Sequence, residues 1–153
     1  MNLMIFIYSV LVHHASHYIR CYHSYKQIDF YRYKSIHRKN YKKLMKINNL
    51  VEDHHIIPKQ WKHHELLTKV DFEINNSKNI YIMPNKKCKR IFELDDDILI
   101  HQGGHHAYNM YVKENMDTIN KLDTNDEIKY TFWLFFHHLK SSLYKNHNNI
   151  PWK

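Results

Sequence analysis

Two short apolar segments, each closed by a proline, constrain the fold of this chain most. The first is "LVEDHHIIP", from Leu50 to Pro58, and the second is "NIYIMP", from Asn79 to Pro84. Because proline lacks a backbone N–H and interrupts strand pairing, each segment is predicted to be a strand that ends near its proline. From about His105 onward, apolar residues recur at helical spacing. The order strand, strand, helix predicts an α+β fold.

The rest of the chain is predicted to add elements on both sides of this core. A length of 153 residues is typical of one domain with one core, so residues 1–153 are predicted to form a single domain. Apolar residues at helical spacing, with Thr124 or Asn125 as the cap, predict a C-terminal amphipathic helix over about 124–146. The apolar opening, "NLMIFIYSVLV", is shorter than the roughly 20 residues of a membrane span and is predicted to be a buried strand or helix.

The chain has only two glycines, and they stand side by side between histidines in "HQGGHHAYN". His101 and His105 are four residues apart, a spacing that on a helix places two imidazoles on one face, where they can share a metal. The glycines would let the chain enter the helix tightly and leave room for a phosphate oxygen above its free N–H groups. The alternative is a glycine turn with incidental histidines, in a chain that has 15 of them.

Basic residues dominate the N-terminal region, residues 1–49. The net charge is +8, and residues 31–50 carry seven Lys or Arg interleaved with tyrosines. A basic patch of this kind predicts contacts with nucleic-acid phosphates. The candidate residues are Arg38, Lys39, Lys42, Lys43 and Lys46. The alternative is a solvated helix face whose lysines reflect an AT-rich coding sequence.

The cysteine content favours an intracellular, reducing compartment. Only Cys21 and Cys88 are present, so the chain has neither a disulfide framework nor a zinc ribbon of paired cysteines. The opening segment lacks a basic stretch before it and a good cleavage site after it, so secretion and membrane association are not expected.

Three segments together resemble one family. "DHHIIPKQW", "NNSKNIYIMP" and "HQGGHHAYN" are similar to the HNH/endonuclease VII superfamily of ββα-metal (His-Me finger) nucleases. The similarity is greatest to the toxin-type branch, whose signature is a His-His pair before Ile-x-Pro. The resemblance covers about residues 50–120 and implies a small ββα-metal core with extra helices at both ends.

The resemblance also implies roles for individual residues. Anchored on "IIP", His54 falls at a metal-ligand position and His55 at the general base, while His101 and His105 fall at the other two ligand positions. Asn79 falls where the family has an asparagine that orients the loop bearing the base. Two alternatives remain open: His106 replaces His105 as ligand, or the motif is shifted by one residue, with Asp53 as ligand and His54 as base.

These residues suit phosphodiester hydrolysis. A neutral imidazole such as His55 can take a proton from water near pH 7. Three imidazoles favour Zn²⁺, Mn²⁺, Ni²⁺ or Co²⁺ over Mg²⁺, which prefers oxygen ligands but stays among the candidate ions. Asp53 or Glu52 would accept a ring N–H of a ligand and fix its tautomer. The predicted function is a metal-dependent endonuclease with one ion, favouring DNA.

The rival prediction is a non-catalytic module that binds nucleic acid. The same histidines would then hold a structural zinc, which requires a fourth protein ligand such as His106 and leaves no open position. Such a module has no use for His55 as a free base. A third possibility is a toxin that uses the same site on foreign cells.

Overall fold

The computed structural model describes residues 31–96, 98–145 and 149–152. The strand or helix predicted in the apolar opening lies outside the described residues. The helices and strands, in chain order, are α1 (Ile36–Leu44), β1 (Val51–His55), α2 (Glu65–Lys69), β2 (Ile80–Pro84), α3 (Lys86–Ile91), α4 (His106–Ile119) and α5 (Asn125–Lys145). Short 3-10 helices cover Lys59–Trp61 and Ser77–Asn79.

The two predicted strands pair with each other in an antiparallel sheet of two strands. The pairing ends where the N–H of Asn85 donates to the carbonyl of Leu50 at 3.0 Å. After the short helix α3, the chain continues into the longer helix α4. Helix α1 precedes the two strands, and helix α5 follows α4. The prediction of a small ββα core with extra helices is therefore confirmed.

The described residues fall into two compact units, of which the first contains residues 31–54 and 76–101 without Asp97. Its helix α3 is held by a small apolar cluster: Cys88 and Leu94 are buried, and Leu50, Phe92 and Ile98 pack against them. Asn85 caps this helix. Its side-chain oxygen accepts from the N–H of Cys88, and its side-chain nitrogen donates to the carbonyl of Asn49, both at 3.0 Å. The end of β2 and the start of α3 are therefore firmly placed.

The second unit contains residues 55–75 and 102–152, with 146–148 outside the described part. Helices α2, α4 and α5 pack against one another through their apolar faces. The buried side chains include Leu66, Leu67, Val112, Met116, Phe132, Phe136 and Leu139. Helix α5 starts with a reciprocal cap in which Glu127 N–H donates to the Thr124 hydroxyl and Thr124 N–H donates to the Glu127 carboxylate, both at 3.2 Å.

Within the part of the chain that the structure describes, no helix is both long enough and apolar enough to cross a membrane.

The division into two units rests on close packing within each. Whether residues 1–153 fold as one domain stays a prediction.

Candidate metal centre

The imidazoles of His54, on strand β1, and His101, next to the end of β2, lie close together. His54, near the end of β1, is buried, and its ring centroid lies 5.7 Å from that of His101 in an edge-on arrangement. His101 is fixed by the end of β2, because its N–H donates to the carbonyl of Pro84 at 2.8 Å and it forms a parallel bridge with Asn85. Backbone pairing therefore positions this pair.

Glu52 stands beside the same pair. Its Oε2 lies 2.8 Å from Nδ1 of His101. Alternate side chains of a strand point to the same face, so Glu52 and His54 share one face of β1 and Asp53 points to the other. A carboxylate at this distance adds negative charge beside the two imidazoles, which favours a cation bound there.

Asp53 is engaged on the opposite face of β1. Its Oδ1 accepts from Nε of Arg38 at 2.8 Å and lies 2.9 Å from Nζ of Lys42. The Arg38 side chain is buried, and its guanidinium also donates to the carbonyl of Tyr31 at 3.3 Å. The Asp53 carboxylate therefore attaches α1 to β1.

His105 lies at the cap position of α4 and is buried, whereas His106 is the first helical residue and is exposed. The Nδ1 of His105 lies 3.3 Å from the carbonyl oxygen of Trp152. The two rings are stacked at a tilt, with 3.9 Å between centroids. A carbonyl oxygen only accepts hydrogen bonds, so this contact places the ring proton on Nδ1 and the lone pair on Nε2.

Gly103 and Gly104 lie between His101 and His105, and only Gly103 has a positive φ. Gly103 has a φ of +105°, a conformation that other residues rarely adopt, and a Cβ added at either glycine would meet no atom within 4 Å. Gly103 therefore serves a turn, and no described atom of the chain packs closely against either glycine. The expectation that His101 and His105 share a helix face is wrong, because α4 begins only at His106 and His101 is bridged to Asn85.

Three histidines can hold a metal ion. His54, His101 and His105 each offer one ring nitrogen, and these nitrogens all lie within 4.8 Å of one another. Two of the three are buried, and the third is partly buried. A spacing of this size allows one ion to contact all three nitrogens at ordinary bond lengths of about 2.0–2.1 Å after small side-chain movements.

His55 and Asn79 occupy different local settings. His55 ends β1, is buried, and its Nε2 lies 3.3 Å from Oδ1 of Asn75. Asn79 is fully buried at the end of a 3-10 helix directly before β2, and its N–H donates to the carbonyl of Asn76 at 3.0 Å. Sequence reasoning did not identify Asn75, which lies in a polar turn without any distinguishing pattern.

Residues 37–132 match the model of a nuclease family of the HNH/ENDO VII superfamily with conserved AHH. The chain belongs to this family. No curated protein and no solved structure matches the chain. Membership confirms the predicted superfamily and makes nucleic acid the substrate class of this AHH-family chain, while the toxin-type branch stays a prediction.

Helix α1 of the AHH-family chain presents part of its basic load to solvent. Lys39 and Lys43 are exposed, and so is Lys46, which lies two residues beyond the end of this helix. Arg38 and Lys42, which the sequence placed in the same patch, are instead ion-paired with Asp53. The predicted basic patch therefore consists of three exposed lysines and two paired cations.

A second basic surface lies on α3, a helix that the sequence analysis did not predict. Lys86, Lys87 and Arg90 are exposed, whereas Cys88 points into the apolar cluster and Lys89 pairs with Asp96 at 2.8 Å. A helix of six residues with one buried side chain has no apolar period, so its pattern gave no signal. We call Lys86, Lys87 and Arg90 the α3 basic surface.

Charge is divided unevenly between the two units of the chain. The described residues of the first unit include 12 Lys or Arg against 5 Asp or Glu, and those of the second unit include 8 against 8. Their formal net charges are therefore +7 and 0. The residues that can attract a polyanion are concentrated in the first unit.

Proposed function

We propose that this AHH-family protein is a metal-dependent endonuclease that hydrolyses phosphodiester bonds, with DNA as its preferred substrate. The observation that carries the proposal is the group formed by His54, His101 and His105, whose ligand nitrogens lie within 4.8 Å of one another. Family membership supports the nuclease class, and the geometry supports the mechanism within it.

The donor set fits one divalent ion. The Trp152 carbonyl beside His105 favours a proton on Nδ1, so that this ring offers Nε2 as the ligand atom, and the Glu52 carboxylate places negative charge beside His101. Neutral imidazoles suit Zn²⁺, Mn²⁺, Ni²⁺ or Co²⁺ better than Mg²⁺. When bound, such an ion supplies positive charge to the phosphate oxygens and to the leaving oxygen.

His55 is the general base in this proposal. Its Nε2 contacts the Asn75 amide oxygen at 3.3 Å, which accepts a ring N–H and leaves the basic lone pair on Nδ1. A neutral imidazole held in this tautomer can take a proton from water and later deliver it to the departing oxygen. Asn79, buried before β2, is proposed to hold the backbone near the base in the role that the family resemblance implies.

Two observations support the assignment of His54 as ligand over the shifted alternative with Asp53. The Asp53 carboxylate is already engaged by Arg38 and Lys42 on the far face of β1. The family signature places alanine before its His-His pair, and we assign that pair to His54 and His55. Since alanine has no ligand atom, the position that Asp53 fills is not needed for metal binding.

The structural-zinc module remains the rival. It needs a fourth ligand, and the group formed by described residues has three members, all histidines. His106, the fourth ligand that the sequence offered, is exposed at the start of α4. Three ligands with open positions for water and phosphate are typical of a catalytic site, so the geometry favours the enzyme.

The nucleic-acid backbone is proposed to contact exposed cations of the first unit. These are Lys39 and Lys43 from α1, Lys46 just after it, and the α3 basic surface. Arg38 and Lys42 contribute indirectly, because their ion pairs with Asp53 hold α1 in place. Preference for DNA and a reducing intracellular compartment belong to the same proposal and await direct tests.

The decisive experiment is cleavage of supercoiled plasmid by the purified protein, with Mn²⁺, Zn²⁺ or Ni²⁺ and with a chelator. We expect nicked and linear products only with metal and only when His55 is intact. His63→Ala is the matched control, because His63 is an exposed histidine outside the three-histidine group. A metal-bound protein that never cuts single- or double-stranded DNA or RNA would favour the structural module.

A further inference from the structure

The C-terminal residues return to the candidate site. Ile150 is buried, and Trp152 stacks on His105 with 3.9 Å between ring centroids and 34° between planes. Trp152 lies beyond residue 132, where the match to the AHH family model ends. The contact therefore joins a residue outside the matched region to His105, which lies within it.

Trp152 holds His105 in two independent ways. Its carbonyl oxygen accepts from Nδ1 of His105 at 3.3 Å, which sets the tautomer. Its indole covers the face of the imidazole, which restricts rotation of the ring and excludes water from one side. The backbone contact fixes where the proton lies, and the side-chain contact fixes where the ring lies.

The indole itself has a rigid support. Its centroid lies 5.4 Å from that of Tyr108, which is fully buried and donates its hydroxyl proton to the carbonyl of Ile56 at 2.6 Å. Tyr108 is three residues after His105, a spacing at which side chains of a helix start lie next to each other. Trp152 therefore packs across both residues and is held by a side chain that has little freedom to move.

We propose that Trp152 is a positioning residue for the metal centre, which it serves by holding His105 with Nε2 directed to the ion. The inference rests on the proposed function, because it assumes that His105 is a ligand. Loss of the indole removes the stacking contact and leaves the imidazole freer to rotate. Residues that orient a metal ligand typically contribute 10- to 100-fold to metal affinity, and we expect a loss of about this size.

The test compares the Zn²⁺ affinity of full-length variants by competition with a chromophoric chelator. Trp152→Ala should bind Zn²⁺ about 10- to 100-fold more weakly than wild type, and Trp152→Phe, which keeps an aromatic ring, should recover most of the loss. Trp133→Ala is the matched control, since Trp133 packs on Phe72, Phe132 and Phe136 and has no contact with His105 among the described ring pairs. Thermal unfolding of each metal-free variant shows whether it is folded.

Equal Zn²⁺ affinity of folded Trp152→Ala and wild type would overturn the inference, and so would an equal loss in Trp133→Ala. If Trp152→Ala does not fold, a Trp61→Phe, Trp133→Phe double variant leaves Trp152 as the single tryptophan. Paramagnetic Co²⁺ should then quench its fluorescence with saturation at one equivalent, and unchanged emission overturns the inference. Failure of the proposed metal site is a different result, because wild type would then bind neither Zn²⁺ nor Co²⁺, and failure of the nuclease activity is seen separately in the plasmid assay.

Discussion

Glu52 Oε2 lies 2.8 Å from Nδ1 of His101, and both residues belong to the first unit of the chain. The pair joins a half-exposed carboxylate to an imidazole that backbone pairing with Asn85 has already placed. Because alternation along β1 directs Glu52 and His54 to one face, the carboxylate accompanies the proposed ligands and leaves Asp53 to α1. The four residues from Glu52 to His55 thus have four different environments.

The first prediction concerns Glu52. Replacing it with alanine removes a negative charge 2.8 Å from His101, so the affinity for a divalent ion held there should fall by about 10-fold. Glu52→Gln, which removes the charge but keeps the size of the side chain, should lose a similar amount. Glu114→Ala, which removes an exposed carboxylate from α4, serves as the control in the same chelator competition. Unchanged affinity in Glu52→Ala would mean that Glu52 does not act through His101.

The second prediction separates the two adjacent histidines of β1. His55→Ala should keep its metal and its affinity for DNA, while cleavage falls by about 10²–10⁴, the usual contribution of a positioned general base. His54→Ala should lose metal and cleavage together, because a remnant of two histidines is a poor site. Metal content by elemental analysis and single-turnover cleavage give the two readouts. Full metal content in an inactive His54→Ala would support the shifted assignment with Asp53 as ligand.

The third prediction concerns the ion pair between Arg38 and Asp53. Asp53→Ala leaves the buried guanidinium without its carboxylate, and breaking a buried pair in this way typically costs about 3–5 kcal/mol. Asp53 is itself slightly exposed, so we expect the lower end of that range in the free energy of unfolding by urea. Asp123→Ala, at an exposed site, should change stability little. Metal affinity should stay near wild type, and its loss would contradict the assignment of Asp53 to α1.

The fourth prediction tests the two basic surfaces with catalytically inactive His55→Ala protein. Neutralising Lys39, Lys43 and Lys46, or the three residues of the α3 basic surface, should weaken DNA binding. It should also lower the slope of log K against log salt by about 0.9 for each phosphate that the protein no longer neutralises. The charge-matched control is neutralisation of Lys121, Lys129 and Lys140 in the second unit. An equal effect of all three sets would show that only net charge matters.

The fifth prediction is a pH dependence that originates at Cys88. Burial raises the pKa of the Cys88 thiol from 9.0 to about 11. The unfolded chain therefore loses this proton at lower pH than the folded chain does. The contribution to stability is complete below about pH 9 and is lost as pH rises toward 11. The free energy of unfolding should fall more steeply between these values in wild type than in Cys88→Ala, and parallel curves would show that the thiol is not protected.

The elements of the core were predictable because their signals are local. Prolines and an asparagine-rich turn predicted where β1 and β2 begin and end. The apolar period predicted the start of α4 to within one residue. Helix α3 was missed because its single buried residue, Cys88, gives no period. The alternation of side chains along a strand could have been applied to the sequence. It would have predicted that Glu52, and not Asp53, lies on the same face of β1 as His54.

Contacts of the site that join distant residues were not predictable. Trp152 and His105 are 47 residues apart and are brought together by packing in the second unit, which no spacing rule encodes. Asp53 and Arg38 are 15 residues apart, and only the folded strand shows that the carboxylate points to α1. The histidine pair before "IIP" was found through its resemblance to a family and not through its chemistry alone.

The uneven charge of the two units has a kinetic consequence. A polyanion that approaches by diffusion meets an attractive field from the described residues of the first unit, whose net charge is +7, and almost none from those of the second unit, whose net charge is zero. Such a field increases the frequency of encounters by about 10- to 10³-fold at low ionic strength and orients the partner before contact. Collisions are thereby biased toward the unit that carries His54 and His101, and this bias weakens as salt shortens the range of the field.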